Sequence, residues 1–153
     1  MNSSPLFVFL HLAGVVVWVG GMFFAYVCLR PVAARQLEPP QRLALWAEVF
    51  GIFFPAVWGA VLAILASGLA MMLAVGFRAA PLHWHLMFGS GLLMMLIFGH
   101  VFFAGYRRLR DGVARQDWKA AGAALNGIRQ LVGVNLGLGF FTIALATLGR
   151  SLI

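Results

Sequence analysis

Residues 49–76 read VFGIFFPAVWGAVLAILASGLAMMLAVG, 28 positions without one charged side chain. Roughly 20 consecutive apolar residues cover the hydrocarbon core of a bilayer as a helix. Inside lipid every backbone N–H and C=O must be bonded within its own segment, so a run of this kind is a helix that crosses the membrane. Three further segments share its character, at about residues 5–29, 82–106 and 128–149. The expected fold is therefore an all-α membrane protein, a four-transmembrane-helix bundle formed by a single domain over residues 1–153.

The composition agrees with that reading. Of 153 residues, 63% are hydrophobic and 10% charged, and the mean hydropathy is +0.96, far outside the range of soluble domains. The net charge of +7 does not point to nucleic acid, because the basic residues flank apolar spans, where they set orientation. A single cysteine, Cys28, excludes an intrachain disulfide and a cysteine-cluster metal site. No basic residue precedes the first apolar run, so that run lacks the charged start of a cleaved leader and is expected to stay as the first span.

Between the spans lie two longer loops, at about 30–48 and 107–127. Arg30, Arg35 and Arg42 belong to the first; Arg107, Arg108, Arg110, Arg115, Lys119 and Arg129 lie in or beside the second. Only Arg78 and Arg150 fall on the other side. The positive-inside rule makes both loops cytoplasmic and puts both termini outside, in the periplasm for a bacterial inner membrane. Glu38-Pro39-Pro40 marks a helix break in the first loop. The second is expected to continue span 3 and then form a surface helix, with Trp118 at the interface. Glycine-containing rows, Gly133/Gly137 in span 4 and Gly59/Ala63/Ser67 in span 2, read as packing faces and leave a homodimer open.

The histidines are the residues least at home in lipid. An ionisable side chain inside a span is costly unless it faces the bundle interior with a partner. At 1.5 Å per residue, His11 lies roughly 9 Å below the outer end of span 1, and His83 and His85 lie roughly 3 and 6 Å below that of span 3. His83 and His85 point about 200° apart around a helix, so only one can meet His11. His85 is the preferred partner and His83 the substitute. Gly14 and Trp18 follow His11 on its face; Phe88, Gly89 and Leu92 follow His85. Two imidazoles with a glycine nearby and apolar walls suit a bis-His haem b. Arg78 and Arg150 would face its propionates or anionic lipid heads. His100 lies roughly 22 Å deeper than His85 with no second ligand at its level. It is expected to bond Asn135, a second polar site, so one haem is expected and not two.

Copper is the alternative occupant. Met22, Met71, Met72, Met87, Met94 and Met95 are soft donors suited to Cu(I), as imidazole is. Methionine also packs freely in apolar spans, and only Met87 falls near the histidine level, so packing is the expected role. A conducting path should show polar residues along its length, and none stands out below the histidines.

Two family resemblances accompany these residues. His11-Leu-Ala-Gly-Val-Val-Val-Trp18-Val-Gly20-Gly21, the following Leu29-Arg30-Pro31 and the stretch from Leu43 to Gly68 resemble the CopD-like (copper-resistance protein D) membrane family. That resemblance implies a small α-helical bundle and copper uptake or tolerance. The chain is also distantly similar to HemJ-type protoporphyrinogen oxidases, four-helix haem b proteins with a histidine early in helix 1 and Leu-His-x-Lys opening helix 3. The matching element here is Leu82-His83-Trp84-His85. His85 stands where that family has lysine, which weighs against the same oxidase chemistry and leaves His85 competent as an axial ligand.

From sequence, then, the expected protein is a haem b-binding, cytochrome b-like membrane protein. It would act in one-electron transfer, with quinol or another redox protein as partner. A copper-binding or copper-uptake protein using His11, His83 and His85 is the alternative, and a non-catalytic partner subunit the third. No nucleophile–base constellation, phosphate loop or carboxylate pair is present to suggest hydrolysis.

Overall fold

The computed structural model describes residues 4–152. It contains four long helices: α1 (Pro5–Gln36), α2 (Pro39–Val75), α3 (Leu82–Ala114) and α4 (Trp118–Leu152). All four are long and apolar enough to span a membrane. The chain is thus an all-α, multi-pass membrane protein. Large side chains such as Val16, Ile52 and Leu96 stand exposed on the outside, where lipid is their natural solvent.

The helices run further than the apolar runs alone suggest. The segments expected as loops at 30–48 and 107–127 are mostly helical. Only Leu37 and Glu38 separate α1 from α2, and Arg115–Asp117 separate α3 from α4. Alanine, arginine, glutamine and leucine dominate these flanks, and all are strong helix formers. Trp118 opens α4 itself, so no separate surface helix forms. Pro39 starts α2 at its first helical position, where a missing N–H costs nothing. Asp117 caps α4 by accepting the Ala120 N–H at 3.0 Å.

Successive helices are antiparallel, as the paired contacts show. His11 meets Ser67 and Gly21 meets Phe53 across α1 and α2; Ser90 meets Thr142 and Gly105 meets Ile128 across α3 and α4. Two helical hairpins therefore make the bundle. One end carries the start of α1, the end of α4 and the α2–α3 turn. The other carries the two tight connections. At that second end a block of rings from α2 and α3 knits the hairpins together. Phe50 stacks on Phe54 with centroids 4.8 Å apart, Phe54 meets Tyr106 edge-on at 5.2 Å, and Trp58 meets Phe98 at 5.1 Å. Trp18 joins this block from α1 through Phe98, at 6.0 Å.

Close approach between helices depends on small residues. A Cβ on Gly14 would fall 2.7 Å from the Ile64 side chain and 2.9 Å from the Ala60 carbonyl oxygen of α2. One on Gly112 would fall 2.9 Å from the Ala121 backbone nitrogen of α4. Gly133 of the GxxxG pair receives the Tyr26 ring, whereas Gly137 faces open space. The α2–α3 turn pivots on Gly76, whose φ of +87° suits glycine alone.

Candidate functional site

At the end carrying the α2–α3 turn the two hairpins draw apart. The first residues of α1 pack on α2, and α3 packs on α4. Between the pairs lies a cavity of about 450 Å³ to which all four helices contribute.

His11 lines this cavity from α1. Its Nδ1 lies 3.1 Å from the Ser67 hydroxyl of α2, which is 1% exposed. A hydroxyl carries one proton, and that of Ser67 is directed to the carbonyl oxygen of Ala63 at 2.5 Å, with Ile64 at 3.2 Å. The imidazole must then donate from Nδ1 to Ser67 Oγ. This proton count leaves Nε2 as the free lone pair of the ring. A hydrogen bond that fixes the tautomer in this way is what orients a ligating histidine. Gly68, one residue on, leaves room for the ring: a Cβ there would sit 3.3 Å from His11 Cε1.

Ser67→Ala removes the acceptor for a part-buried N–H. The expected loss of stability is roughly 1–3 kcal/mol, measurable by thermal unfolding in detergent. Affinity for any metal bound through Nε2 is expected to fall about tenfold or more, measured by titration; unchanged affinity would mean that Ser67 does not orient the ring.

The same cavity is also lined by thioethers. Met71 and Met72 of α2 and Met87, Met94 and Met95 of α3 all line the cavity. Packing is the role expected of them, and Met72 and Met94, each 3% exposed, are buried as deeply as Met22 in the core; lining the cavity puts all five at its wall as well. Depth along the helix axis hid the set, because α2 and α3 deliver their methionines from opposite directions and the cavity is elongated along the axis. Adjacent pairs, Met71-Met72 and Met94-Met95, carry no signal of it by themselves, since neighbours about 100° apart can both face outward, as Phe140 and Phe141 do. Trp18, 3% exposed, closes the cavity toward the aromatic block.

The three outer histidines do not converge. His85 is exposed, its Nδ1 lying 3.2 Å from the Pro81 carbonyl oxygen at the start of its own helix. His83 packs on α4, with Gly149 providing the space for its Cβ. Neither lines the cavity. Equal depth was a sound inference, but α1 and α3 sit in different hairpins and turn these faces away from each other. The bis-His pair for a haem therefore has one imidazole in the cavity and not two. No group of three or more His, Cys, Asp or Glu side chains able to hold a metal occurs among the described residues.

The other candidates divide in the same way. Gly14 is taken up by the α1–α2 contact. Gly89 is exposed and outside the cavity, while Phe88 and Leu92 line it. Arg78 is exposed in the α2–α3 turn; the side chain of Arg150 lies outside the described residues. His100 and Asn135 do not bond each other. Asn135, 3% exposed, donates from Nδ2 to the Met94 carbonyl at 3.2 Å, because it faces the α3–α4 seam. His100 is exposed at the edge of a second cleft near the other end of that seam. Asn135 Oδ1 is buried without a partner, a situation that costs about 1–3 kcal/mol.

Residues 47–148, two thirds of the chain, match the family described as CopD, copper resistance protein D. This span takes in α2 from its third turn, all of α3 and most of α4, and with them all five cavity methionines. No curated protein and no solved structure matches the chain.

Proposed function

This chain belongs to the copper resistance protein D family, and from that premise we propose that it binds Cu(I) in the cavity between its two hairpins. The observation carrying this reading is that one imidazole with a free Nε2 and five methionines line the same cavity. Thioether and imidazole donors select soft monovalent copper over Mg²⁺, Ca²⁺ or Mn²⁺, which prefer oxygen. No carboxylate or thiolate lines the cavity, so a hard or highly charged ion would gain little there. A site of neutral donors can also capture and release a single positive charge without stranding a fixed negative charge in lipid.

His11 supplies the orienting ligand, held from behind by Ser67. Met87, Met94 and Met95 on α3 and Met71 and Met72 on α2 complete a flexible donor set. Methionine has three rotatable bonds, which lets several thioethers reach one ion without a rigid cage. The loop charges favour placing the cavity end outside the cytoplasmic membrane, with the arginine-rich connections inside. The site would then take copper from the outer side. The haem reading is weakened by the loss of His85 and His83 from the cavity.

The test is a titration of the detergent-purified chain with Cu(I) under reductant, against a chromogenic Cu(I) chelator, with iron and copper counted on the same sample. About one Cu(I) per chain, and a colourless protein free of iron, is the expected result. A sharp Soret band with about one iron per chain would overturn the copper reading in favour of haem. Absence of both metals after the titration would overturn it outright.

A further inference from the structure

We infer that the α3–α4 seam is a passage for the monovalent ion, with Asn135 as its midpoint; the inference rests on the Cu(I) reading of the cavity. Three observations align on this seam. The upper cavity reaches down to Met95 on α3 and Gly139 on α4. A second cleft, of about 560 Å³, begins at His100 on α3 and Leu131 on α4 and continues to the α3–α4 connection. Between them the gap is about five residues on α3 and eight on α4, roughly 8–12 Å at helical rise.

Asn135 sits in that gap, one helical turn below Gly139 and one above Leu131. Its Nδ2 is fixed to the carbonyl of Met94, a cavity residue. Its Oδ1 has no partner, and no other buried side-chain polar atom among the described residues is in that position. An amide oxygen left without a donor in the interior of a membrane bundle is a neutral ligand available to a cation. It is too weak to trap one, and that suits a transfer point between two sites. The second cleft then presents His100, Asp111 and Asp117, donors that stabilise a cation after the neutral stretch. Arg108 and Arg115 share that cleft, so its charges are balanced and an arriving ion is not held there. The ion changes ligands along the way and keeps its oxidation state. The seam thus supplies polar groups below the histidine level, Asn135 and His100 among them, with the Ser90–Thr142 hydroxyl pair, 2.7 Å apart, above Asn135.

The experiment uses the full chain in proteoliposomes enclosing a Cu(I)-chelating dye, with Ag(I) binding in detergent measured in parallel. Wild type is expected to fill the dye, and Asn135→Leu to bind Ag(I) with unchanged stoichiometry while filling it at least tenfold more slowly. Asn135→Ala, which leaves space instead of bulk, should slow filling by a similar factor and carries the test if the leucine variant fails to bind Ag(I). Filling within twofold of wild type in either binding-competent variant overturns the role of Asn135. A wild type that binds Ag(I) but fills no vesicles overturns the passage and leaves the cavity reading intact. A wild type that binds neither ion removes the cavity reading, and the passage with it.

Discussion

Changing Met71, Met87, Met94 and Met95 together to leucine lowers Cu(I) affinity about a hundredfold or more, equivalent to roughly 3 kcal/mol, without unfolding the bundle. Leucine and methionine are close in volume, and such swaps usually cost under about 1.5 kcal/mol each in a packed interior. The substitution therefore separates the two roles that thioethers can play. If these methionines only fill space, the quadruple variant binds Cu(I) as wild type does. If they are donors, four of the five soft sulfurs leave the cavity and His11 cannot hold the ion alone. His11→Leu should by itself cost more than Ser67→Ala, about tenfold or more, because it removes the ligand that Ser67 only orients. The competition titration reads both effects, and circular dichroism checks that the helices persist. Equal affinity in wild type and the quadruple variant would sink the proposed donor set.

Gly14→Val is expected to be the most damaging single change to the bundle. Any Cβ at residue 14 lands 2.9 Å from the Ala60 carbonyl oxygen and 2.7 Å from Ile64, and valine adds two methyls to it. The Ile64 side chain can turn aside, but the Ala60 oxygen belongs to the α2 backbone and cannot. The helices must separate, at an overpacking cost of about 1–3 kcal/mol, lowering the unfolding temperature by roughly 5–10 °C for a chain of this size. Gly20→Val is the control on the same helix, since a Cβ there meets nothing within 4 Å. Thermal melts of the two variants in the same detergent compare them directly. Equal melting temperatures would show that the α1–α2 contact at residue 14 yields more easily than its geometry implies.

Hydropathy alone carried most of the fold. Twenty-eight uncharged residues can satisfy their backbone in lipid only as a helix, so the spans were readable one by one. Their ends were not, because Arg30–Gln36 and Arg107–Ala114 are polar in side chain but strongly helical in backbone, and hydropathy measures only the first property. The site was half legible. His11 stood out because a histidine one turn and more inside a span needs a partner, and Ser67 proves to be that partner. The convergence of His11 with His85 failed because depth is one coordinate and azimuth another. A helix face is fixed by which neighbour it packs on, and sequence spacing within α1 says nothing about where α3 stands. The shared cavity wall of the methionines was hidden for the opposite reason. Each is unremarkable in an apolar helix, and only the gap between two hairpins turns five of them into a set.

That set ties the chain to the redox state of its surroundings. Thioether sulfur is the softest donor here because its lone pairs are easily given up, and peroxides take the same electrons. Each sulfoxide formed would replace a soft sulfur with a hard, hydrogen-bond-hungry oxygen in an apolar wall. Copper held near oxygen generates such oxidants, so on the proposed copper reading the cavity would be exposed to the chemistry of the ion it binds. With several interchangeable methionines and not one indispensable sulfur, damage at one position thins the donor set gradually before it fails.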